Sequence, residues 1–301
     1  MLEKLPALHD VGQIQPAGTV LIFDFETELV TAVSANLDQR VANWSVDAAI
    51  GTQAEDVLGS TMLHDVRNAS ALPSIARIPE PLGVTNLGVN DIEVSVFHSG
   101  QHIVVEFCDA QTEPSALSLV KDLVRLDERM RKGVDLIGAL TDVAALIRIM
   151  SGYDRVQAVA LRPDGRAEVI AESRRSTLEA TLGEVLQTPL SGANLHLPPY
   201  RIVADAESDP VSVLSQRPDR VDLALCQTIM PKEDRSRFLS EIGMRSEMIL
   251  PIRTSDRLWG ALIFQSSRPR CPNLRFKYIS IALAPLLKEM LVRWFENARA
   301  T

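Results

Sequence analysis

The chain has 301 residues, of which 46% are hydrophobic and 23% are charged, and its formal net charge is −8. This length suggests about two domains, and an acidic chain with no cluster of Lys and Arg argues against nucleic acid as a direct partner. Three cysteines without CxxC spacing exclude a disulfide framework or a zinc knuckle, and no apolar run is long enough for a signal peptide or a membrane span, so we expect a cytoplasmic protein.

The first part of the chain has the pattern of an α+β domain. The segment IQPAG, residues 14–18, is a polar turn, and the following TVLIFDFETELVTAVSAN predicts a hairpin of two strands. Short helices and loops are expected over residues 37–80, and IEVSVFHSGQHIVVEF predicts a second hairpin. Turn-forming residues in CDAQTEPS, residues 108–115, mark a boundary, so the first domain is predicted to span residues 1–110.

The second domain is predicted to span residues 116–301. Apolar residues at three- and four-residue steps over 117–150 predict one amphipathic helix, or two helices broken near Gly133. YDRVQAVALRPDGRAEVIAES and MILPIRTSDRLWGALIFQSS predict two hairpins of one sheet. Between them lie an irregular, Pro-rich region over 188–220 and a charged helix at KEDRSRFLSEIGM, and a final helix runs on both sides of Pro285.

The residues offer little support for catalysis. None of the motifs GxSxG, HExxH, P-loop or GxGxxG is present. His98 and His102 are close in sequence but lack a third ligand, so no metal site is predicted. Cys226 is either a reactive thiol or a small buried apolar residue, and the mixed charges of PKEDRSR are more typical of a solvated helix face than of a carboxylate site. We therefore predict that the protein is not an enzyme.

Taken in order, these segments resemble the phytochromes, and within that family the PAS and GAF domains of bacteriophytochromes. IQPAG resembles the family's IQPHG and VFHSGQHIVVEF its terminal PAS hairpin, while YDRVQAVALRPDGRAEVIAES, FLSEIGMRSEM and LWGALIF resemble GAF segments. The resemblance implies an α+β fold in which a PAS domain precedes a GAF domain, each an antiparallel sheet with flanking helices. It also implies a figure-of-eight knot, in which the segment around Ile14 passes through a loop within residues 211–236.

The resemblance further implies where a bilin would be held, and this sequence departs from the family there. The attachment cysteine falls on Glu3, and a carboxylate cannot supply the soft thiol nucleophile. The family's conserved stretch before the second hairpin should lie near His196 and is replaced. The other implied pocket positions are Val159, Cys226, Ile229, Arg235, Phe238, Glu247 and Gln265. An arginine clamp for one bilin propionate becomes Ile229, and a serine beside the other becomes Glu247, so bilin binding should be severely weakened.

Three hypotheses for function follow from the residues and the resemblance. The first is a phytochrome-like sensory or regulatory module without covalent bilin, which acts through a protein partner or a different small ligand in the GAF pocket. The second is a photoreceptor that binds a biliverdin-type bilin noncovalently or through an unusual residue, with Cys226 the only cysteine near the predicted pocket. The third is an enzyme acting on a small molecule in that cavity, with Glu247 or Arg235 as acid-base candidates.

The resemblance also bears on association and output. A homodimer through the helices at 117–150 and 277–298 is expected, because GAF domains of the family associate through such helices. No PHY, kinase, cyclase or DNA-binding segment is recognised, so either this sequence is a piece of a longer chain or the protein works by association.

Overall fold

The computed structural model describes residues 8–71, 79–110, 116–132, 135–186, 200–218, 221–254 and 258–300. The chain divides into two compact units, and the division is not a single cut. The first unit consists of Met1–Glu113 together with Ser208–Met230, and the second consists of Pro114–Glu207 together with Pro231–Thr301. The later segment, 208–230, thus joins the first unit, whereas the ranges expected from the sequence place it within the second domain, 116–301.

The first unit is built on an antiparallel sheet. Its strands are β1 (His9–Ile14), β2 (Gly18–Asp24), β3 (Val30–Ser34), β4 (Glu80–Asn86), β5 (Asp91–Ser99), β6 (His102–Asp109) and, from later in the chain, β11 (Val211–Ser215). Their order across the sheet is β1-β11-β3-β2-β6-β5-β4. Strand β11 lies between β1 and β3, pairing Ile14 with Val211 and Ser34 with Val213.

Both faces of this sheet are covered, which explains the unbroken apolar run in β2. Leu21 and Phe23 belong to a core with a short 3-10 helix (Leu37–Gln39) and the helices α1 (Val46–Ala49), α2 (Ala54–Leu58) and α3 (Ser60–Ala71). Val20 and Ile22 belong to a second core, whose other members include Ile14, Val213, Leu223 and Cys226. Because side chains alternate along a strand, one strand can supply apolar residues to both cores.

The second unit has its own antiparallel sheet and a layer of helices. Its strands are β7 (Arg155–Leu161), β8 (Ala167–Arg174), β9 (Val185–Leu186), β10 (Arg201–Val203), β12 (Ser246–Arg253) and β13 (Leu258–Ser266), in the order β10-β12-β13-β7-β8-β9. Its helices are α4 (Ala116–Lys132), α5 (Leu136–Ser151), α6 (Glu233–Glu241) and α7 (Leu274–Ala300). Helix α5 contacts β7 and β8, and α7 contacts β12, α4 and α5. The ring of Phe264 in β13 meets Phe276 of α7, so that side of the sheet faces the helices.

The structure confirms the four hairpins and the α+β class predicted from the sequence. The long amphipathic pattern is two helices, α4 and α5, and the N-terminus of α5 is capped by Asp135, whose carboxylate accepts from the Gly138 amide at 2.7 Å. The sequence did not predict β1, β4, β9, β10 or β11. No described helix has the length and apolarity required to span a membrane.

A buried polar cluster on the second sheet

The candidate site lies on the face of the second sheet that points away from Phe264. Glu247 of β12 pairs with Gln265 of β13, and Gln265 pairs with Arg155 of β7. Two residues further along, Ile249 pairs with Ile263, and Ile263 with Gln157. Since paired residues and their i±2 neighbours share a face, this side of the sheet is polar at one end and becomes apolar along the strands.

Glu247 is the centre of the first group of side chains. It is only 1% exposed, and its carboxylate accepts two hydrogen bonds from the Arg235 guanidinium, the Nε one at 2.8 Å. Gln265 Nε2 donates to the same carboxylate at 3.1 Å. Arg235 comes from α6 and also lies 4.7 Å from the ring centroid of Phe238. Sequence-predicted positions Arg235, Phe238, Glu247 and Gln265 are thus brought together.

Glu172 of β8 is the centre of a second group on the same face. Its carboxylate lies 3.2 Å from Arg155 Nε and accepts from Thr181 Oγ1 at 2.7 Å. Gln157 Nε2 donates to that hydroxyl at 2.5 Å. Glu247, which is fully buried, and Glu172, whose side chain is 6% exposed, therefore each have an arginine partner, as poorly solvated charges require.

The apolar end of the face contains the remaining predicted residue, Val159. It belongs to a buried cluster with Ile249 and Ile263, and the other buried members are Ala167, Val169 and Ala261. At the sheet edge, Arg201 pairs in register with Ile249 and so shares this face. Arg201 is exposed to solvent, although partial desolvation by the surrounding protein lowers the pKa of its guanidinium, and no ion pair joins it to a carboxylate among the described residues.

Two predicted pocket residues belong to the first unit. Cys226 is buried, and its thiol donates to Glu106 of β6 at 3.0 Å. Ile229 forms an isolated bridge with Ile14 and accepts a hydrogen bond from Gln15 Nε2 at 3.0 Å. Both were predicted as pocket residues, and they lie in the segment 208–230, which completes the sheet of the first unit. Their place in a ligand pocket stays a prediction. Glu3 and His196 lie outside the described residues.

Glu106 anchors this later segment to the first sheet. Its carboxylate accepts from the amides of Gln227 at 2.9 Å and Thr228 at 2.8 Å, and from the Thr228 hydroxyl at 2.6 Å. Burial, reinforced by this neighbouring carboxylate, raises the pKa of the Cys226 thiol. Thr228 O in turn accepts from the Gln15 amide at 2.7 Å. Ile14 therefore lies against residues 228 and 229, and its passage through a loop stays a prediction.

Several site residues were missed by the sequence interpretation. Arg155, Gln157, Glu172 and Thr181 line the second sheet, and Glu106 anchors the first. The available signal was a charged or amide residue inside an otherwise apolar strand, as in IVVEF and RVQAVAL. Around the histidine pair, His98 Nε2 lies 3.1 Å from Ser70 O, and in the described part of the chain no group of three potential metal ligands comes together.

Comparison with known proteins places these features in context. The chain matches a family model described as a PAS fold over residues 4–110 and a GAF domain model over residues 135–287. It is 28% identical to a bacteriophytochrome of Pseudomonas aeruginosa in an alignment of 283 residues that covers 87% of this chain and 36% of that protein. It is 26% identical to phytochrome B of Arabidopsis thaliana in a gapped alignment of 308 residues that covers 89% of this chain and 26% of the relative. The chain thus spans roughly a third or less of the length of these relatives.

Proposed function

Because the chain belongs to the GAF domain family, with a PAS fold before that domain and similarity to phytochromes over most of its length, we propose that it is a phytochrome-like sensory or regulatory module that holds no bilin covalently. It acts through a protein partner or through a different small ligand on the polar face of the second sheet. The phytochrome resemblance supplies the general role, and the side chains on that face supply the departure from it.

The ion pair between Glu247 and Arg235 is the observation that carries this proposal. In the bilin site implied by the resemblance, propionates need cations and hydrogen-bond donors at these positions. Here a buried carboxylate stands at Glu247, and the nearby guanidinium of Arg235 is already bound to it by two hydrogen bonds. A propionate placed beside Glu247 would meet a like charge in a poorly solvated site, which is unfavourable.

The cysteines also support the proposal. The first cysteine in the sequence is Cys108, so no thiol stands at or near Glu3. Cys108 and Cys226 are buried, and the raised pKa of Cys226 disfavours the thiolate that would attack a bilin vinyl group. Only Cys271 is partly exposed.

Biliverdin addition tests this proposal. We expect no zinc-dependent fluorescent band after denaturing electrophoresis of the mixed protein. A Glu3→Cys variant serves as the matched sample, because it returns a thiol to the attachment position without touching the second sheet. A covalent band from the unaltered chain would refute the proposal. A band from the Glu3→Cys variant alone would show that the bilin can enter its site and that the unaltered chain lacks only the attachment thiol.

A second candidate function is noncovalent binding of a biliverdin-type bilin, and Arg201 is the observation that favours it. This arginine shares the site face and has no carboxylate partner among the described residues, so its charge is available to a propionate. The candidate predicts a red-shifted absorption band that disappears on denaturation and weakens in an Arg201→Gln variant. No catalytic role is proposed for Glu247 or Arg235, because each already neutralises the other.

A further inference from the structure

Two buried amide oxygens on the second sheet have no hydrogen-bond partner. Gln157 is 1% exposed and Gln265 is 3% exposed, and in each the Oε1 atom is buried and accepts no hydrogen bond. A buried acceptor without a donor costs free energy, and such groups are rare in native proteins unless something else completes them. Their presence on one face indicates a missing set of donors.

The orientation of each amide is fixed by its neighbours. Gln265 Nε2 faces the carboxylate of Glu247, which can only accept a hydrogen bond. Gln157 Nε2 faces the Thr181 hydroxyl, whose own proton goes to the carboxylate of Glu172. Exchanging oxygen and nitrogen in either amide would place an acceptor against an acceptor, so the oxygen is the atom without a partner in both.

The two amides are neighbours on the sheet. Gln265 is directly opposite Arg155 on the adjacent strand, and Gln157 is two residues from Arg155 on the same side. Such diagonal positions lie about 7 to 8 Å apart, which one small ring system can span. Ile263, directly opposite Gln157, begins the apolar end of the face and offers a surface for the rest of such a ring.

The two carboxylates beside these glutamines are already paired with cations, but the amide oxygens lack hydrogen bonds. Glu247 is paired with Arg235 and Glu172 with Arg155, so neither buried carboxylate needs a cation from a ligand. What both glutamines lack is an N–H or O–H donor. Each side-chain nitrogen also carries a second hydrogen, so each amide has both an acceptor and a donor to offer an –NH–CO– group.

We propose that this face binds an uncharged cyclic ureide, a small ring carrying –NH–CO– groups, whose N–H groups donate to Gln157 Oε1 and Gln265 Oε1. The ring packs against Ile249 and Ile263. The inference rests on the proposed function in one respect, that the second sheet holds a small ligand, and it adds the chemical class of that ligand.

Calorimetric titration with matched probes tests the inference. Uracil represents a free ureide, and 1,3-dimethyluracil is the same ring with both N–H groups blocked. We expect uracil to bind and 1,3-dimethyluracil to bind at least about tenfold more weakly, the loss of roughly one well-made hydrogen bond.

Glutamine variants locate the binding. Gln157→Met and Gln265→Met should each weaken the bound probe about tenfold or more. Gln101→Met, in the exposed turn of the first unit where only the backbone carbonyl accepts a hydrogen bond, should leave affinity unchanged. Melting curves by circular dichroism verify folding, and Gln157→Met carries the test if Gln265→Met unfolds, because its lost partner is a hydroxyl and not a carboxylate.

Three results would overturn the inference: no binding of uracil, equal binding of 1,3-dimethyluracil, or full affinity for uracil in both glutamine variants. The proposed function fails on a different observation, a covalent bilin band from the unaltered chain. The two failures are therefore distinguishable in the same protein preparation.

Discussion

Glu247 and Arg235 show how the cost of a buried charge depends on its partner. Neither residue has much contact with water, so each compensates the other, and Gln265 supplies a further hydrogen bond to the carboxylate. The pair holds α6 to β12 as well as balancing charge.

Arg235→Met should destabilise the second unit by about 3 to 5 kcal/mol, because it leaves Glu247 buried and without its cation. The double variant Arg235→Met/Glu247→Leu should lie within about 1 to 2 kcal/mol of the wild type, since two apolar side chains need no compensation. Urea unfolding followed by circular dichroism measures both. A double variant that loses as much stability as the sum of the single losses would contradict the prediction.

The stability of the second unit should depend on pH through the carboxyl group of Asp154. Burial alone would raise the pKa of this carboxyl, but hydrogen bonds from the amide and hydroxyl of Ser267 and from Ser266, with the charge of Arg175, hold the pKa below its ordinary value of 3.8. A lowered folded-state pKa means that its stabilisation is complete above about pH 4 and is lost as the pH falls through the folded pKa.

Asp154→Asn should therefore cost about 1.5 to 3 kcal/mol at neutral pH and remove part of the acid-induced loss of stability. Unfolding free energies measured from pH 7 to pH 3 check this. The control is Asp142→Asn, because Asp142 contacts Arg129 only at 3.9 Å on an exposed helix face, where an ion pair contributes little. If both variants show the same pH profile, Asp154 is not the group responsible.

At the scale of elements, β2 begins in close contact with the Thr228 side chain of the later segment. A Cβ atom built on Gly18 would lie 2.0 Å from Thr228 Oγ1. Thr228 is itself held by the carboxylate of Glu106, so it cannot easily move aside. Glycine at the first residue of β2 is thus a packing requirement, which the local reading of IQPAG as a turn did not reveal.

Gly18→Ala should destabilise the first unit by about 2 kcal/mol or more through this overlap. Hydrogen exchange of the Thr228 amide should quicken in the same variant, since the segment is pushed away from Glu106. In Gly138→Ala of α5 the nearest atom to the new Cβ is 3.4 Å away, and alanine favours helix, so that control should be neutral or stabilising. An unchanged unfolding midpoint in Gly18→Ala would argue against the contact.

The elements that the sequence could predict are those whose partners are close in sequence. The hairpins β2–β3, β5–β6, β7–β8 and β12–β13 each combine an alternating pattern with a local turn, and both features are visible in the letters. Strand β11 pairs with β1 on one side and with β3 on the other, and in both cases the partners are about two hundred residues apart in the sequence. No local pattern encodes such a pairing. The three-residue strand β10 is too short to show a period.

The candidate site, like the fold, could be predicted from the sequence only in part. Glu247, Gln265 and Arg235 were found because a resemblance supplied their positions. Glu172 and Gln157 were not, because a buried polar residue is recognised only when its partners in space are known, and here the partner is Thr181 in a loop. The sequence also could not show that Cys226 belongs to the first unit, since that depends on where the chain returns.

At the scale of the whole molecule, helices α4 and α5 expose apolar residues that a homodimer would cover. Val120 and Val124 are 55% and 51% exposed and, four residues apart, lie on the same side of α4. Ile137 and Ile149 of α5 are also exposed. The family resemblance implies association through these helices, and such a patch is typical of an interaction surface.

A Val120→Glu/Val124→Glu variant should therefore be monomeric where the wild type is a dimer, because charges cannot be buried in an apolar seam without partners. Light scattering coupled to size exclusion gives the mass directly. Val89→Glu in the first unit, at a residue 50% exposed, is the matched control and should leave the mass unchanged. A wild-type monomer, or a variant that still dimerises, would show that α4 is not the seam.

The return of residues 208–230 to the first unit has a consequence for synthesis on the ribosome. One edge of strand β3 has no pairing partner until β11 has been synthesised, long after β1 to β6. By then α4, α5, β7 and β8 of the second unit are already outside the exit tunnel. Neither unit can finish folding before the other is largely translated, so the nascent chain carries two incomplete sheets at once and depends on late residues to close the earlier one.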